Sequence, residues 1–589
     1  MKKLLLLLAV VTAGSVFAGL DDGDVADKCT RTFVLPKRIV WATPKFTAGF
    51  APRCTVDGME NLLGPKKGQI PETSDYANKV RGCHFVNRGN VPGIILDFGK
   101  EINGGIQIGS AGPKTSKGMK VRLRFGESVA ETLTDARYGE RGEGNDHAIR
   151  DLELPLPVMG SVTYGDTGFR FLRIDLLTTG ELTLEHVRAV EVKRPMERIG
   201  SFASSDERLN RVWDVAVRTV HNCCQNYLWD GIKRDRLVWM GDTHPETMSI
   251  LNVFGAASVL PESLDYMAAT TDAKTEWMNV MGPYTLWWVR NLAEWYRFTG
   301  DKNYLAKHHQ YLADTLNRVA TFVTPSNTFE GVTRPFLDWP TEHNRPAVFA
   351  GMQALAAITF REGAYMADAL GDAALAATCR ASAEKLMKQP VPDPNGAKSA
   401  AAMLALGGFR DPKAVFAETL GRNGHADVST FYGYYMLEAM SAVGENQRAL
   451  DTVRDYWGAM IDVGATTFWE NFNLEWTNNC FRIDEMPVAG KKDVHGDYGE
   501  FCYLGFRHSL CHGWSSGPAA WCINHILGIR PLEAGCKTVE IKPFLGDLAW
   551  AEGAMALPDG NAVKVKVSKK ADGTLKVDCS APDWVKIVR

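Results

Sequence analysis

Several absences narrow the chemistry of this chain. It has no Gly-x-x-x-x-Gly-Lys phosphate loop, no Gly-x-Gly-x-x-Gly dinucleotide fingerprint and no His-Glu-x-x-His zinc helix, which removes the common nucleotide-dependent and zinc-hydrolase readings. Its 12 cysteines include no Cys-x-x-Cys, which argues against a zinc ribbon or a thioredoxin-like centre, and its 13 histidines are scattered without ligand spacing. No metal or cofactor is therefore expected. The formal net charge is only −3, so there is no basic footprint for nucleic acid. No run beyond the N-terminus approaches the length of a membrane span.

The N-terminus reads as a signal peptide over residues 1–18. Lys2-Lys3 is a positive n-region, Leu4 to Val11 an apolar core, and Val16-Phe17-Ala18 a small-x-small cleavage site. This predicts an exported protein, periplasmic or secreted. The Ala18-Gly19 junction lacks a lipobox Cys. In an oxidising compartment some cysteines are candidates for pairing, whereas Cys223-Cys224 sit in a helical pattern and read as buried thiols.

A chain of 589 residues exceeds one compact core, and its patterning changes twice. Residues 19–198 read as β: Pro92–Gly99, Gly105–Gly109, Val121–Gly126 and Phe169–Leu176 alternate or run apolar between Gly and Pro, as in a β-sandwich. Residues 199–525 read as helices. Ser204 and Glu207 are spaced as a capping box before the first, and Pro245 suits a helix start. Helical patterns follow at Tyr284–Thr299, Tyr304–Phe322, Pro346–Leu370, Ala373–Lys388, Phe431–Val443 and Asn446–Ile461. The total of ten to twelve is what a ring of helical hairpins needs. Residues 526–589 return to β at Thr538–Pro543, Asn561–Val567 and Leu575–Asp578. That module is too small for an independent core, so it is expected to pack on the helical region as a second sandwich.

Two loops carry the chemistry. Trp229 to Glu246 holds Asp230, Asp235 and Asp242 with Lys233, Arg234, Arg236 and Trp239, at neither helix nor strand period. Gly464 to Asn473 presents Trp469 and Glu470 after a small-residue turn. An aromatic beside a carboxylate suits a sugar: the ring stacks on its apolar face and the carboxylate handles the proton. Carboxylates from two distant loops are what a glycosidase requires. Phe336-Leu337-Asp338-Trp339 is a third such group, and His512 and Trp514 lie in a fourth. The bland alternatives are a solvated charged loop and aromatics buried in the core. Gly513-Trp514-Ser515-Ser516-Gly517 matches the esterase elbow, but it lacks the preceding strand, and the only later histidine is His525, so a serine hydrolase is set aside.

The stretch from Asp230 to Asp242 resembles, without a gap, the Asp-Cys-Pro-Gln-Arg-Glu-Arg-Leu-Gly-Trp-x-Gly-Asp pattern of the α-L-rhamnosidases of glycoside hydrolase family 78. Gly464 to Glu470 is similar to that family's Gly-Ala-Thr-Thr-x-Trp-Glu, and Phe336–Trp339 to its Phe-x-Asp-Trp loop. The resemblance implies a central all-α (α/α)6 barrel flanked by an N-terminal β-sandwich and a small C-terminal one, acting on terminal α-L-rhamnose with inversion. It implies Asp235 as general acid and Glu470 as general base. Asp230, Trp239, Asp242, Asp338, Trp339, Trp469, His512 and Trp514 are expected around the carbohydrate.

Two departures stand out. Asp235 replaces the usual Glu, retracting the carboxyl by about 1.5 Å, and leaves Asp242 and Glu246 as alternative acids. Gly231-Ile232-Lys233 replaces Cys-Pro-Gln. A charged insert from Asn471 to Phe506 is either a lid or an ornament. Two further readings remain: the same fold acting on another sugar, such as α-L-fucose or a modified rhamnose, and a non-catalytic glycan-binding homologue.

Overall fold

The computed structural model describes residues 27–44, 54–63, 82–111, 118–135, 148–501 and 503–589; the expected signal peptide lies outside them. The N-terminal region forms an antiparallel sheet, nine-stranded among the described residues, ordered Cys54–Asp57, Cys83–Asn87, Gly180–Lys193, Gly93–Ala111, Met159–Leu176, Met119–Gly126, Asp151–Leu156. Thr30–Val34 and Arg38–Ala42 add to Gly180–Lys193 and Gly93–Ala111. The two runs expected at Pro92–Gly99 and Gly105–Gly109 are one 19-residue strand. It bends where its pairing with Met159–Leu176 shifts register, between Asp97 and Ile102 and again between Gly104 and Gly105. Gly165 permits the second bend: a Cβ there would stand 2.3 Å from the Gly105 Cα. The bent sheet closes over its own apolar cluster, in which Phe98 and Phe125 each meet Phe169 edge-on.

The helical region begins at Glu207–Cys223. Its N-cap is Asp206, whose carboxylate accepts from the amides of Arg208 (2.8 Å) and Leu209 (3.1 Å), not the expected Ser204. Ser204 instead ends a strand, Ser201–Ser204, that pairs with Trp550–Ala556. The next helix, Thr243–Phe254, starts two residues before Pro245. The helices Gly282–Thr299, Arg345–Leu370, Ala373–Lys388 and Gly433–Ala442 fall close to their expected ranges. Trp287 and Trp288 are both buried, so adjacent rings on one helix both serve packing. The eleven described cysteines are free thiols, Cys223 and Cys224 buried among them.

The C-terminal residues form a four-stranded sheet, ordered Ser201–Ser204, Trp550–Ala556, Ala562–Lys569, Leu575–Ser580, and a three-stranded one from Ile529–Pro531, Thr538–Ile541 and Lys586–Val588. Their inward residues, Val539, Val563, Val565 and Val567 among them, join the apolar cluster of the helices. The module thus shares a core it is too small to build alone. No helix among the described residues is long and apolar enough to cross a membrane.

Candidate active site

Asp242, Tyr284, Trp339 and the Ser429-Thr430 pair lie at or just before the N-terminal ends of Thr243–Phe254, Gly282–Thr299, Arg345–Leu370 and Gly433–Ala442. These ends gather around a cavity of about 520 Å³ lined by Asp230, Arg234, Asp235, Trp239, Asp242, Tyr284, Trp339, Glu470, Tyr503, Arg507, His512 and Trp514, with Arg334, Phe336 and Glu342 at its edge loop. The two carboxylate loops, more than two hundred residues apart, meet here. A groove of about 570 Å³ on the C-terminal sheet is larger, but it is open, and its two acids, Glu552 and Asp578, pair with Lys566 and Lys576.

The Trp229–Glu246 loop is held by its own backbone. Asp230 N–H donates to Leu237 O (3.0 Å), and Leu237 N–H donates to Asp230 Oδ1 (3.0 Å). Gly231 bridges to His512, and Gly513 N–H donates to Asp230 O (2.7 Å). At the apex Asp235 and Arg236 both have φ of 54°, a left-handed conformation that side chains disfavour and that surrounding structure must enforce. The turn presents Asp235 with its side chain 18% exposed, against 3% for Glu470.

Arg234 joins the two carboxylates. Nη1 donates to Asp235 Oδ2 (2.9 Å), while Nη2 donates to both Glu470 oxygens, at 2.5 Å for Oε2. With C–N bonds of about 1.33 Å, the guanidinium places its terminal nitrogens about 2.3 Å apart. The path from Asp235 Oδ2 through the guanidinium to Glu470 Oε2 then bounds the separation of those oxygens at about 7.7 Å. Burial opposes the Arg234 charge, but Glu470 and Asp235 outweigh it and hold the guanidinium more firmly protonated than usual.

Glu470 is fastened on every side. Its N–H donates to Ser509 O (3.0 Å), Ser509 N–H donates to its Oε2 (3.2 Å), and its carbonyl accepts from Thr430 Oγ1 (2.7 Å) and the Trp514 indole (3.0 Å). His512 lies between Asp242 Oδ2 (3.2 Å from Nε2) and Glu470 Oε1 (3.6 Å from Nδ1). Burial alone would lower its pKa; Glu470, Asp242 and Asp230 outweigh that and raise it. Burial pushes Asp230 well up, and also raises Asp242, which accepts from Tyr284 Oη (3.1 Å).

Two expected contact residues stand outside the cavity. Trp469 is fully buried, edge-on to Phe472 and His508; the apolar core claims it. Asp338 is buried behind the wall, accepting from Ser429 Oγ (2.7 Å) and Trp339 N–H (3.0 Å), and burial pushes it up to about 7. Glu246, an alternative acid by sequence, is completely buried and held well above the usual carboxylate range by burial, with Asp242 and Asp230 adding. It does not reach the cavity.

Sequence reasoning missed Tyr284, Arg334, Glu342, Tyr503 and Arg507, and named Arg234 only as one of the loop's cations. Tyr284 sits in the first turn of Gly282–Thr299, where its ring meets Trp239 edge-on. Tyr503 shows that the Asn471–Phe506 insert helps build the site, since Trp339 packs on both Phe501 (5.6 Å) and Tyr503 (5.5 Å).

Comparison with known proteins bears out the resemblance. Residues 197–389 match the model of the bacterial α-L-rhamnosidase six-hairpin glycosidase domain. Among solved structures, the fold is similar to a family 78 rhamnosidase of Bacillus sp. GL1, at 22% identity and a TM-score of 0.72 over 91% of this chain and 55% of that one. It is similar to a rhamnosidase of Klebsiella oxytoca with rhamnose bound, at 20% identity and a TM-score of 0.65 over 85% of this chain and 96% of that one. An α-L-rhamnosidase of Streptomyces avermitilis complexed with L-rhamnose gives 18% identity and a TM-score of 0.64, over 84% of this chain and 48% of that one. The chain thus spans about half the length of the Bacillus protein. No curated protein matches it in sequence. The chain has a rhamnosidase-like multidomain fold with β-sheet regions, and its residues 197–389 are similar to a six-hairpin glycosidase domain.

Proposed function

We propose that the chain is an inverting exo-glycosidase that removes terminal α-L-rhamnosyl residues from glycans or glycosides. In this reading residues 199–525 close into an (α/α)6 barrel between β-sandwiches at 19–198 and 526–589, with Ser201–Ser204 lent to the C-terminal one, and the 1–18 segment exports the protein. The observation that carries the reading is the convergence of Asp235 and Glu470 on Arg234 inside one aromatic-walled cavity.

Asp235 gives its proton to the glycosidic oxygen as the bond to the anomeric carbon breaks. Glu470 takes a proton from a water that attacks the opposite face, so the anomeric configuration inverts. The resulting Glu470 acid and Asp235 carboxylate then return to their starting states by proton exchange with solvent. The upper bound of about 7.7 Å overlaps only the lower part of the roughly 6.5–9.5 Å range of a water-activating pair. Arg234 bonds both Glu470 oxygens and His512 stands beside one of them, so the base is held in place for the attacking water. Asp235 shares Arg234 with Glu470, so proton donation requires that contact to be exchanged for the leaving oxygen when sugar binds. Trp239, Trp339 and Tyr503 offer apolar surface to the ring and methyl group, and Asp230, Asp242 and His512 offer hydrogen bonds to its hydroxyls.

Hydrolysis of an aryl α-L-rhamnoside followed by anomer-resolved proton NMR tests this: β-L-rhamnose appears first. No turnover of any α-L-rhamnoside, or α-L-rhamnose as first product, would sink it. A second reading is favoured by Arg334 and Arg507 on the lining: a rhamnoside bearing sulfate or linked to a uronate. A substrate panel separates the two by whether the anionic group raises kcat/KM.

A further inference from the structure

Behind the cavity wall lies a second cluster of charge, at the junction with the N-terminal sheet. Glu127 follows the strand Met119–Gly126, Glu131 sits on the short helix Val129–Leu133, and both are buried with Lys233 of the Trp229–Glu246 loop. Lys233 Nζ stands 3.2 Å from Glu127 Oε2 and 3.1 Å from Glu131 Oε1, and donates to His508 O at 2.9 Å. Glu127 Oε2 also accepts from Leu510 N–H (2.8 Å), and Arg150 Nε donates to Glu131 Oε1 (3.0 Å). His508 and Leu510 flank Ser509, whose N–H and carbonyl both bond Glu470. Lys233 directly precedes Arg234 and the left-handed turn at Asp235. The same cluster therefore grips the backbone on both sides of the cavity.

We propose that Lys233 is a positioning residue: with Glu127 it clamps the N-terminal sheet region to the two segments that carry Asp235 and Glu470, and so sets their separation. The proposal rests on the assignment of those two carboxylates as the reacting pair. Lys233 stands where the resembling family has Gln, so the clamp is a property of this chain. Two observations make it necessary here. Buried carboxylates without a counter-cation are costly, and a left-handed turn at two non-glycine residues persists only where its surroundings over-determine it. The sheet contributes directly, since a Cβ on Gly168 would stand 2.9 Å from the Lys233 backbone nitrogen. Glu127, Glu131 and His495 lie close enough together to suit a metal ion, but the ammonium already lies against both carboxylates. The His495 ring nitrogens stand 2.8 Å from Ser128 Oγ and 3.0 Å from His508 O.

The test compares Lys233→Met with the charge-balanced pair Glu127→Gln/Lys233→Met, which leaves Glu131 with Arg150. In Lys233→Met, kcat falls roughly 100-fold, the scale of an ångström of misplacement, while KM changes by less than about threefold. The double variant regains thermal stability but not kcat. Wild-type kcat in either variant would overturn the proposal, because Lys233 would then only balance charge or do nothing. Should the single variant fail to fold, the double decides. Backbone amide exchange over 230–237 and 508–511 is read in parallel and needs no substrate. Faster exchange in both segments is expected, and unchanged exchange overturns the clamp even if no rhamnoside is turned over, so this failure is separable from that of the proposed activity. Loss of wild-type activity in EDTA, restored by calcium, would put a metal in place of the ammonium and also overturn it.

Discussion

Asp235 and Glu470 share one arginine and little else. Glu470 has both oxygens on Arg234, a third hydrogen bond from Ser509 N–H, His512 at 3.6 Å, and a backbone fixed by Ser509, Thr430 and Trp514. Asp235 sits on a left-handed turn, more exposed, with its Oδ2 on Arg234. The difference matches the two tasks proposed for them. A base that orients water gains from rigid placement by several donors. An acid has to meet a leaving oxygen that arrives with the substrate, so it stands where the loop reaches into the cavity.

The largest effect expected from this contrast is on Glu470. Glu470→Gln lowers kcat roughly 10³-fold for good and poor leaving groups alike, because water activation is needed for both. A loss that depends on the leaving group would assign the acid role here and reverse the comparison. Asp235→Asn is expected to be selective: roughly 10²-fold or more on a sugar or alkyl leaving group, and much less on a nitrophenyl group that departs without a proton. Steady-state kinetics across a leaving-group series reads both, and equal losses throughout would remove Asp235 as acid.

The smallest effect concerns Asp338, a buried carboxylate beside the cavity but outside it. Its pKa rises from about 3.9 in the unfolded chain to about 7 on folding. A raised folded pKa favours the protonated form, so the contribution to stability is full below about pH 3.9 and is lost as the pH climbs through about 7. Asp338→Asn should flatten the fall in Tm between those pH values while leaving kcat within about threefold of wild type. An unchanged pH slope in thermal melts would show that Asp338 does not titrate there, and a large loss of kcat would move it into the site.

Much of the helical region was legible because core-facing stripes at helical period need only local chemistry. Ala373–Lys388 has the bounds read for it, and the Asp372 side chain caps it. The errors came where distant chain intervened. Ser204 looked like a cap because its partner strand, Trp550–Ala556, lies some 350 residues away. Two strands were read where one bends, because Gly104 and Gly165 let the sheet fold without a turn. In the site, the aspartates and Glu470 were legible as clustered charge beside aromatics. Trp469 was misplaced because adjacency to Glu470 says nothing about which side of a wall a ring faces. Tyr503 was invisible inside a long insert without periodicity.

By itself, the sequence determined which segments form helices and strands, and which two loops concentrate carboxylates, because periodicity and composition are local properties. Only the tertiary structure decided that Arg234 ties Asp235 to Glu470, that His512 stands between Asp242 and Glu470, and that Lys233 draws the N-terminal sheet against both loops. Those are charges desolvated together by chain ends hundreds of residues apart, and their strength depends on distance and burial, neither of which is encoded at any one position.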